Sequence, residues 1–314
     1  MSSTTSGKPE TAAKTSIVNS IKALVGLSLD QTDTLILKYL GFFGEHIPFQ
    51  STGLVHVVAA ATKPMWPLRA VYPEKPTGLS EEKKTEVQAA LEQAAAKLPP
   101  QLTRHNLTYH VRQGTVLEEF VMLTNEQESN LIVVGRRSGS QHGILSKNLI
   151  RQSGRNLLVV PEKAHGHLKT IVVPMDFSAN SIRALRAALD LKHHLGKGVH
   201  VIAINVYQRP SLMAHSLDMT PDQFERSIRD NHEQGFAKFM AEEFPGHEQE
   251  VKPLLIDSEL PDVAHQILEK SLEAKADLLV MGSKGTSRLE RLLLGSTTET
   301  LLDLNDRIPI FIIR

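Results

Sequence analysis

The 314-residue chain contains no cysteine, which removes disulfides, thiolate zinc sites, iron–sulfur ligation and thiol catalysis at once. Aromatic residues make up only 5%, with a single Trp, too few for the stacking platforms that hold single-stranded nucleic acid. An excess of one charge is also missing. The 35 Lys and Arg balance 35 Asp and Glu, so no global field draws in nucleic acid or an anionic membrane. No uninterrupted run reaches the roughly 18 apolar residues of a membrane span. Residues 1–16, MSSTTSGKPETAAKTS, have no apolar stretch and read as a disordered tail rather than a signal peptide. The expected location is cytoplasmic. What remains is an ordinary globular mixture, 41% hydrophobic and 22% charged, of a length that fits two domains at roughly 100–200 residues each.

Sequence motifs exclude more. There is no GxxxxGK[ST] phosphate loop, no GxGxxG after a strand and no GxSxG elbow. The 14 histidines include His193–His194 on an expected helix and His165 and His167 around Gly166, but none sits in an HExxH-type set, so no metal site is expected. His142 and His265 lack an evident base or nucleophile partner, and Trp66 falls in a loop. The carboxylates are too scattered to name a general acid–base pair, and no catalytic residue is assigned.

An internal repeat organises the rest. Apolar runs at 23–28, 53–60, up to Gly135 and at 155–162 recur at 171–176, 199–207, up to Gly282 and at 306–314. Their offsets stay near 148 residues through the fourth run and then grow by about six, so the length change falls between the fourth strand and the last. Helical patterns separate the runs, clearest at 79–98 and 220–244, where apolar positions recur every three to four residues. Strand–helix alternation implies βαβ units and a parallel sheet covered on both faces. Runs such as ADLLVMG are continuously apolar, as a doubly covered strand requires. The fold class is therefore α/β: two tandem doubly wound units, at 17–162 and 168–314, joined by 163–167.

Open α/β sheets bind ligands at the carboxyl ends of their strands. In the second unit the first strand runs into Pro174, Met175, Asp176 and Phe177, and the second ends near Val206. The fourth ends at Met281 and Gly282 and continues SKGTSRLERLLLGSTTE. Gly282, Gly285 and Gly295 are spaced by two and nine residues, and Ser296 and Thr297 open a helix whose N–H groups suit phosphate. Two structural readings stand beside this one. Asp176 could cap a helix, and Ser296 with Glu299 forms a capping-box pattern. Lys284 could steer phosphate, while Arg288, Glu290 and Arg291 form a mixed-charge surface.

The stretch GSKGTSRLERLLLGSTTE resembles the nucleotide loop of the universal stress protein family, of pattern G-2x-G-9x-G-[S/T], and the order of elements agrees with a tandem member over about 290 residues. That resemblance implies an adenine nucleotide alpha-hydrolase-like fold and a site for ATP, with or without Mg²⁺. By the same resemblance Asp176 would contact adenine or ribose, flanked by Pro174, Met175 and Phe177. The backbone of Val206 would meet adenine. Met281, Gly282, Ser283, Gly285, Gly295, Ser296 and Thr297 would cradle ribose and phosphate. The resemblance further implies that the two terminal strands pair as a pseudo-dimer within the chain, with a further homodimer and a protein partner left open.

The first unit departs from this pattern. Ser28 stands where Asp176 should be, and its loop, GRRSGSQHGILSKNLI, places Gly135, Gly139 and Gly143 at shortened spacing with no Gly-Ser-Thr. Arg136 and Arg137 could hold an anion or simply be solvated. The expectation is an ATP-binding regulatory module in the second half beside a degenerate first half, hydrolysing ATP slowly at most. An ATP-hydrolysing or phosphotransfer enzyme and a nucleotide-free scaffold are the alternatives.

Overall fold

A computed structural model describes residues 20–59, 78–103, 106–137, 143–208, 220–258, 262–284 and 294–314. The tail, Trp66, Gly139, His142, Gly285, Arg288, Glu290 and Arg291 lie outside these residues. In the first half the elements are β1 (Ile21–Gly26), α1 (Asp33–His46), β2 (Phe49–Ala59), α2 (Glu81–Ala95), α3 (Pro100–Thr103), β3 (Leu107–Gly114), α4 (Val116–Glu126), β4 (Leu131–Arg136), α5 (Ile144–Ser153) and β5 (Asn156–Pro161). The second half follows with β6 (Thr170–Pro174), α6 (Ala179–Leu195), β7 (His200–Gln208), α7 (Pro221–Glu243), β8 (Val251–Ser258), α8 (Val263–Glu273), β9 (Leu278–Gly282), α9 (Ser296–Leu304) and β10 (Ile310–Ile313).

The strands form one sheet in the order β3-β2-β1-β4-β5-β10-β9-β6-β7-β8. Each half contributes the same order read outward from the centre, and every pairing is parallel except β5 with β10. The register preserves the sequence offset: Leu24 pairs with Ile132, and Val172 with Leu279. The edge strands β3 and β8 are only partly buried, and Pro253 sits in β8, where a missing N–H can face away from the ladder.

Side chains alternate across the sheet and build two cores. On one face Ala23, Val25, Ile171 and Val173 pack beneath α1, α2, α6 and α7, as Leu40, Leu91, Leu185 and Met240 show. On the other, Leu24, Val172 and Leu279 lie under Phe120 of α4, Leu149 of α5, Ile267 of α8 and Leu301 of α9. Burial of strand residues on both faces explains why β9 is apolar throughout and β5 from Leu157 onward. Helix starts follow side-chain chemistry. Ser80 accepts from the Lys83 N–H ahead of α2, and Thr220 and Gln223 close a reciprocal capping box ahead of α7.

The two terminal strands meet as expected. In the antiparallel seam Ile310 faces Val159, Phe311 faces Leu158 and Ile312 faces Leu157, so neither half exposes that edge. Above the seam, α5 and α9 exchange ion pairs, Lys147 with Asp303 at 2.8 Å and Arg151 with Glu299. The Tyr39 hydroxyl on α1 donates to the Asp277 carbonyl, crossing between halves. Arg136 donates to the carbonyls of Asp303, at 2.7 Å, and Asn305, so its guanidinium closes the carboxyl end of α9. It is not a solvated surface cation. Burial lowers its pKa, opposed by the nearby Asp303 and Asp306 carboxylates. Arg136→Ala would leave those carbonyls without a charged donor and should cost about 1–3 kcal/mol, read as a lower midpoint in urea.

Candidate functional site

The chain crosses from β6 to β7 on one side of the sheet and to β9 on the other. This is a switch point, where the carboxyl ends of neighbouring strands splay open. A cavity of about 270 Å³ lies there, lined by Pro174, Met175, Asp176, Ser181, Ile204, Val206, Val263, Ile267, Met281, Gly282, Lys284 and Gly295 to Thr298.

Each wall has a local cause. Met175 donates its N–H to the Ile204 carbonyl at 2.7 Å, and its own carbonyl accepts from the Asn205 side chain at 2.8 Å. The turn after β6 is thereby fixed to β7. The chain then reverses at Phe177, with φ 59, and Ser178 caps α6 by accepting from the Ser181 N–H at 3.3 Å. Asp176 is therefore not the helix cap. Its Oδ1 accepts the Ser178 N–H at 3.1 Å, a short local turn that leaves the exposed carboxylate on the cavity rim.

The opposite wall begins at Gly282. A Cβ there would lie 2.7 Å from the Asn180 Cβ and 2.9 Å from its backbone C and O, so only glycine lets β9 pass the first turn of α6. Lys284 leaves the described chain and Leu294 rejoins it. The two ends are tied by the Gly295 N–H to the Ser283 carbonyl at 2.9 Å and by the Thr298 hydroxyl to the Gly282 carbonyl at 3.1 Å. Gly295 is itself the residue before α9, and no side chain caps that helix. The capping-box reading of Ser296 and Glu299 therefore fails: Ser296 is already helical, and Glu299 turns away to pair with Arg151.

Most residues singled out from sequence converge on the cavity: Pro174, Met175, Asp176, Val206, Met281, Gly282, Gly295, Ser296 and Thr297. Two sit elsewhere. Ser283 is buried behind the wall, with its N–H on the Ile313 carbonyl and its hydroxyl 3.4 Å from Arg314. The Phe177 ring packs edge-on against Phe236 and Phe239 of α7. The sequence reading missed Ser181, Ile204, Val263, Ile267 and Thr298. Val263 and Ile267, four apart on α8, and Ile204, two before Val206 on β7, were accessible through simple periodicity.

The arrangement is an apolar floor of Ile204, Val263, Ile267 and Met281 beneath a polar rim. That rim carries a carboxylate at Asp176, an ammonium at Lys284, two hydroxyls at Ser296 and Thr297, and the opening N–H groups of α9. A flat apolar ring fits the floor, and an anion fits the helix terminus.

The first half keeps the turn but changes its chemistry. Leu29 has φ 59, matching Phe177. Leu27 donates to the Val55 carbonyl at 2.9 Å, as Met175 does to Ile204, and His56 takes the place of Asn205 through its contact with the Leu27 carbonyl at 2.8 Å. Ser28 carries no carboxylate, but Asp33, at the position of Ser181, is buried. It accepts the N–H groups of Ser28 and Leu29 at 2.9 and 2.7 Å. Burial pushes its carboxyl above the usual carboxylate range, against those two N–H groups and the charges of His56 and Lys97. Arg137 pairs with Asp30 and Arg136 is committed to α9. Anion donors at this turn are thus already engaged.

The sequence model described as Universal stress protein family matches residues 167–305, a range that holds every described residue lining the cavity. Residues 167–305 thus form a domain of the universal stress protein family. A universal stress protein of Methanocaldococcus jannaschii is 27% identical over 171 residues, covering 53% of this chain and 88% of that relative. The fold is shared along nearly the whole length with a universal stress protein from Archaeoglobus fulgidus, at TM-score 0.61, 19% identity, and 93% and 98% coverage of the two chains. A functionally unknown protein from Pseudomonas aeruginosa has the same fold, at TM-score 0.60, 13% identity, and 93% and 92% coverage. Among the described residues, no helix is long and apolar enough to cross a membrane.

Proposed function

We propose that this protein binds an adenine nucleotide, ATP above all, in the cavity of residues 168–314, and that residues 17–162 act as its structural partner. The supporting observation is the convergence of an apolar floor, a rim carboxylate and an uncapped helix start at one switch point. The base would rest on Ile204, Val263, Ile267 and Met281, and the ribose hydroxyls would meet Asp176. The phosphates would face Gly295 to Thr297, bringing any Mg²⁺ with them. In this reading the site belongs to a regulatory module, with ATP-hydrolysing or phosphotransfer chemistry as the alternative. One helix carries the signal in this reading: α9 starts at the cavity and ends on Arg136 and Lys147 of the first half.

Denaturing purified protein and counting released nucleotide should give one adenine nucleotide per chain. Asp176→Ala should weaken ATP binding about ten- to a hundredfold by calorimetry, the loss of a charge-assisted hydrogen bond. No released nucleotide and no heat with ATP would leave the scaffold reading standing. Two nucleotides per chain would refute the asymmetry. Sustained ATP hydrolysis with Mg²⁺, abolished in the same variant, would favour the enzyme.

A further inference from the structure

At the amino ends of the strands, opposite the carboxyl ends that hold the cavity, three side chains from two places meet. His193 lies in the last turn of α6, and His247 and Glu250 lie in the turn between α7 and β8. That turn is held by its own backbone: His247 donates to the Phe244 carbonyl and Glu250 to the His247 carbonyl, at 3.0 and 2.9 Å, around Gly246 with φ 85. The donor atoms are close. His247 Nδ1 stands 2.7 Å from Glu250 Oε1, and His193 Nε2 stands 3.2 Å from both carboxylate oxygens. The imidazole centroids are 5.3 Å apart, and all three donor atoms lie within 4.8 Å of one another.

We propose that His193, His247 and Glu250 form a binding site for Zn²⁺ that clasps α6 to the α7–β8 turn, independently of any nucleotide. Tetrahedral zinc with bonds of about 2.0–2.2 Å sets its ligands roughly 3.3 Å apart, so each imidazole needs to shift by only about half an ångström relative to the carboxylate, and the two imidazole nitrogens, within 4.8 Å of each other, by about 1.5 Å at most. Two imidazole nitrogens and one carboxylate oxygen suit zinc and its borderline neighbours, not Mg²⁺ or Ca²⁺, which take oxygen shells. The fourth position is left to water. Lys192 supports the carboxylate, with its Nζ 3.1 Å from Oε2 and 3.0 Å from the Glu250 backbone carbonyl. Oε1, the oxygen nearer His247, is the one turned to the metal. A hydrogen bond on the far oxygen of a ligating carboxylate is the usual orienting device.

The test uses the full chain stripped with chelator and titrated with Zn²⁺ by calorimetry, with thermal unfolding alongside. The expected result is one Zn²⁺ per chain and a higher Tm with metal. His193→Ala should weaken binding at least tenfold. His193 is half exposed, at 46%, so this variant should keep its fold and its metal-free Tm. Co²⁺ substitution gives a second readout: visible absorption typical of four- or five-coordinate nitrogen–oxygen ligation in the parent, lost in His193→Ala. His167→Ala, at the linker, should change neither. Zn²⁺ affinity and Co²⁺ spectrum unchanged in His193→Ala would overturn the site, as would no Zn²⁺ uptake at all. Neither result depends on ATP.

Discussion

Gly282→Val should abolish nucleotide uptake by the second half and destabilise the chain by about 1–3 kcal/mol, the usual range for forcing atoms into a packed interior. The reason is the approach of β9 to α6. The added Cβ would fall inside contact distance of the Asn180 Cβ, carbonyl carbon and oxygen, and backbone cannot rotate away as a long side chain could. Helix α6 cannot retreat either, because Ala184, Leu185, Ala188 and Leu191 are buried against the sheet. Relief must come from β9 and the loop it feeds, whose closing hydrogen bonds run from Gly295 to Ser283 and from Thr298 to Gly282. A displacement there misplaces the start of α9 and the Asp176 rim together. Urea unfolding and ATP calorimetry on one preparation check both effects. Wild-type ATP affinity in Gly282→Val would disconnect this close approach from the site. Gly135→Ala is the matched control: its Cβ would meet the tip of the Ile36 side chain at 2.8 Å, a flexible neighbour, so a smaller cost and unchanged ATP binding are expected.

The second large effect lies at the seam. Phe311 is 4% exposed in the centre of the ten-stranded sheet, paired to Leu158 of the first half and Val280 of the second. It borders an apolar void of about 20 Å³ that residues of both halves line, among them Leu40, Phe43, Val133 and Leu191. A void with a wholly apolar lining stays dry. Phe311→Ala would enlarge it where the continuous sheet on one side and helices α1 and α6 on the other restrict collapse, so a loss of about 3–5 kcal/mol is expected, with Phe311→Leu costing much less. The denaturation midpoint should fall without a change in m. A loss under about 0.5 kcal/mol, the scale of an ordinary surface substitution, would mean that the halves do not depend on this contact.

Much of the site was legible because its signals are local. A carboxylate just after an apolar run, glycines at fixed spacing and hydroxyls opening a helix place Asp176 and Gly282 at strand ends and Gly295 and Ser296 at a helix start without any knowledge of neighbours. The errors came where local patterns admit two outcomes. Ser296 and Glu299 satisfy the capping-box spacing, yet the helix starts one residue earlier than that box needs, because Gly295 is held by Ser283 and Glu299 is drawn to Arg151. Arg136 looks like a solvated loop residue until α9 arrives from 167 residues away to meet it. The strands β3 and β8 escaped separate notice because edge strands are only partly buried and lack the continuous apolar run of β5 or β9.

The sequence by itself determined the two-sided α/β architecture, the matching order of elements in the two halves and the chemical contrast between Asp176 and Ser28. Each rests on periodicity or residue type, which survives without coordinates. Tertiary structure alone decided that Asp33 occupies the anion donors of the first turn, that α9 bridges the cavity to the other half, and that His193 meets His247 and Glu250. Those facts depend on contacts between residues far apart in the chain, and no local pattern encodes which distant side chains the packing of a sheet will bring within 3 Å or so.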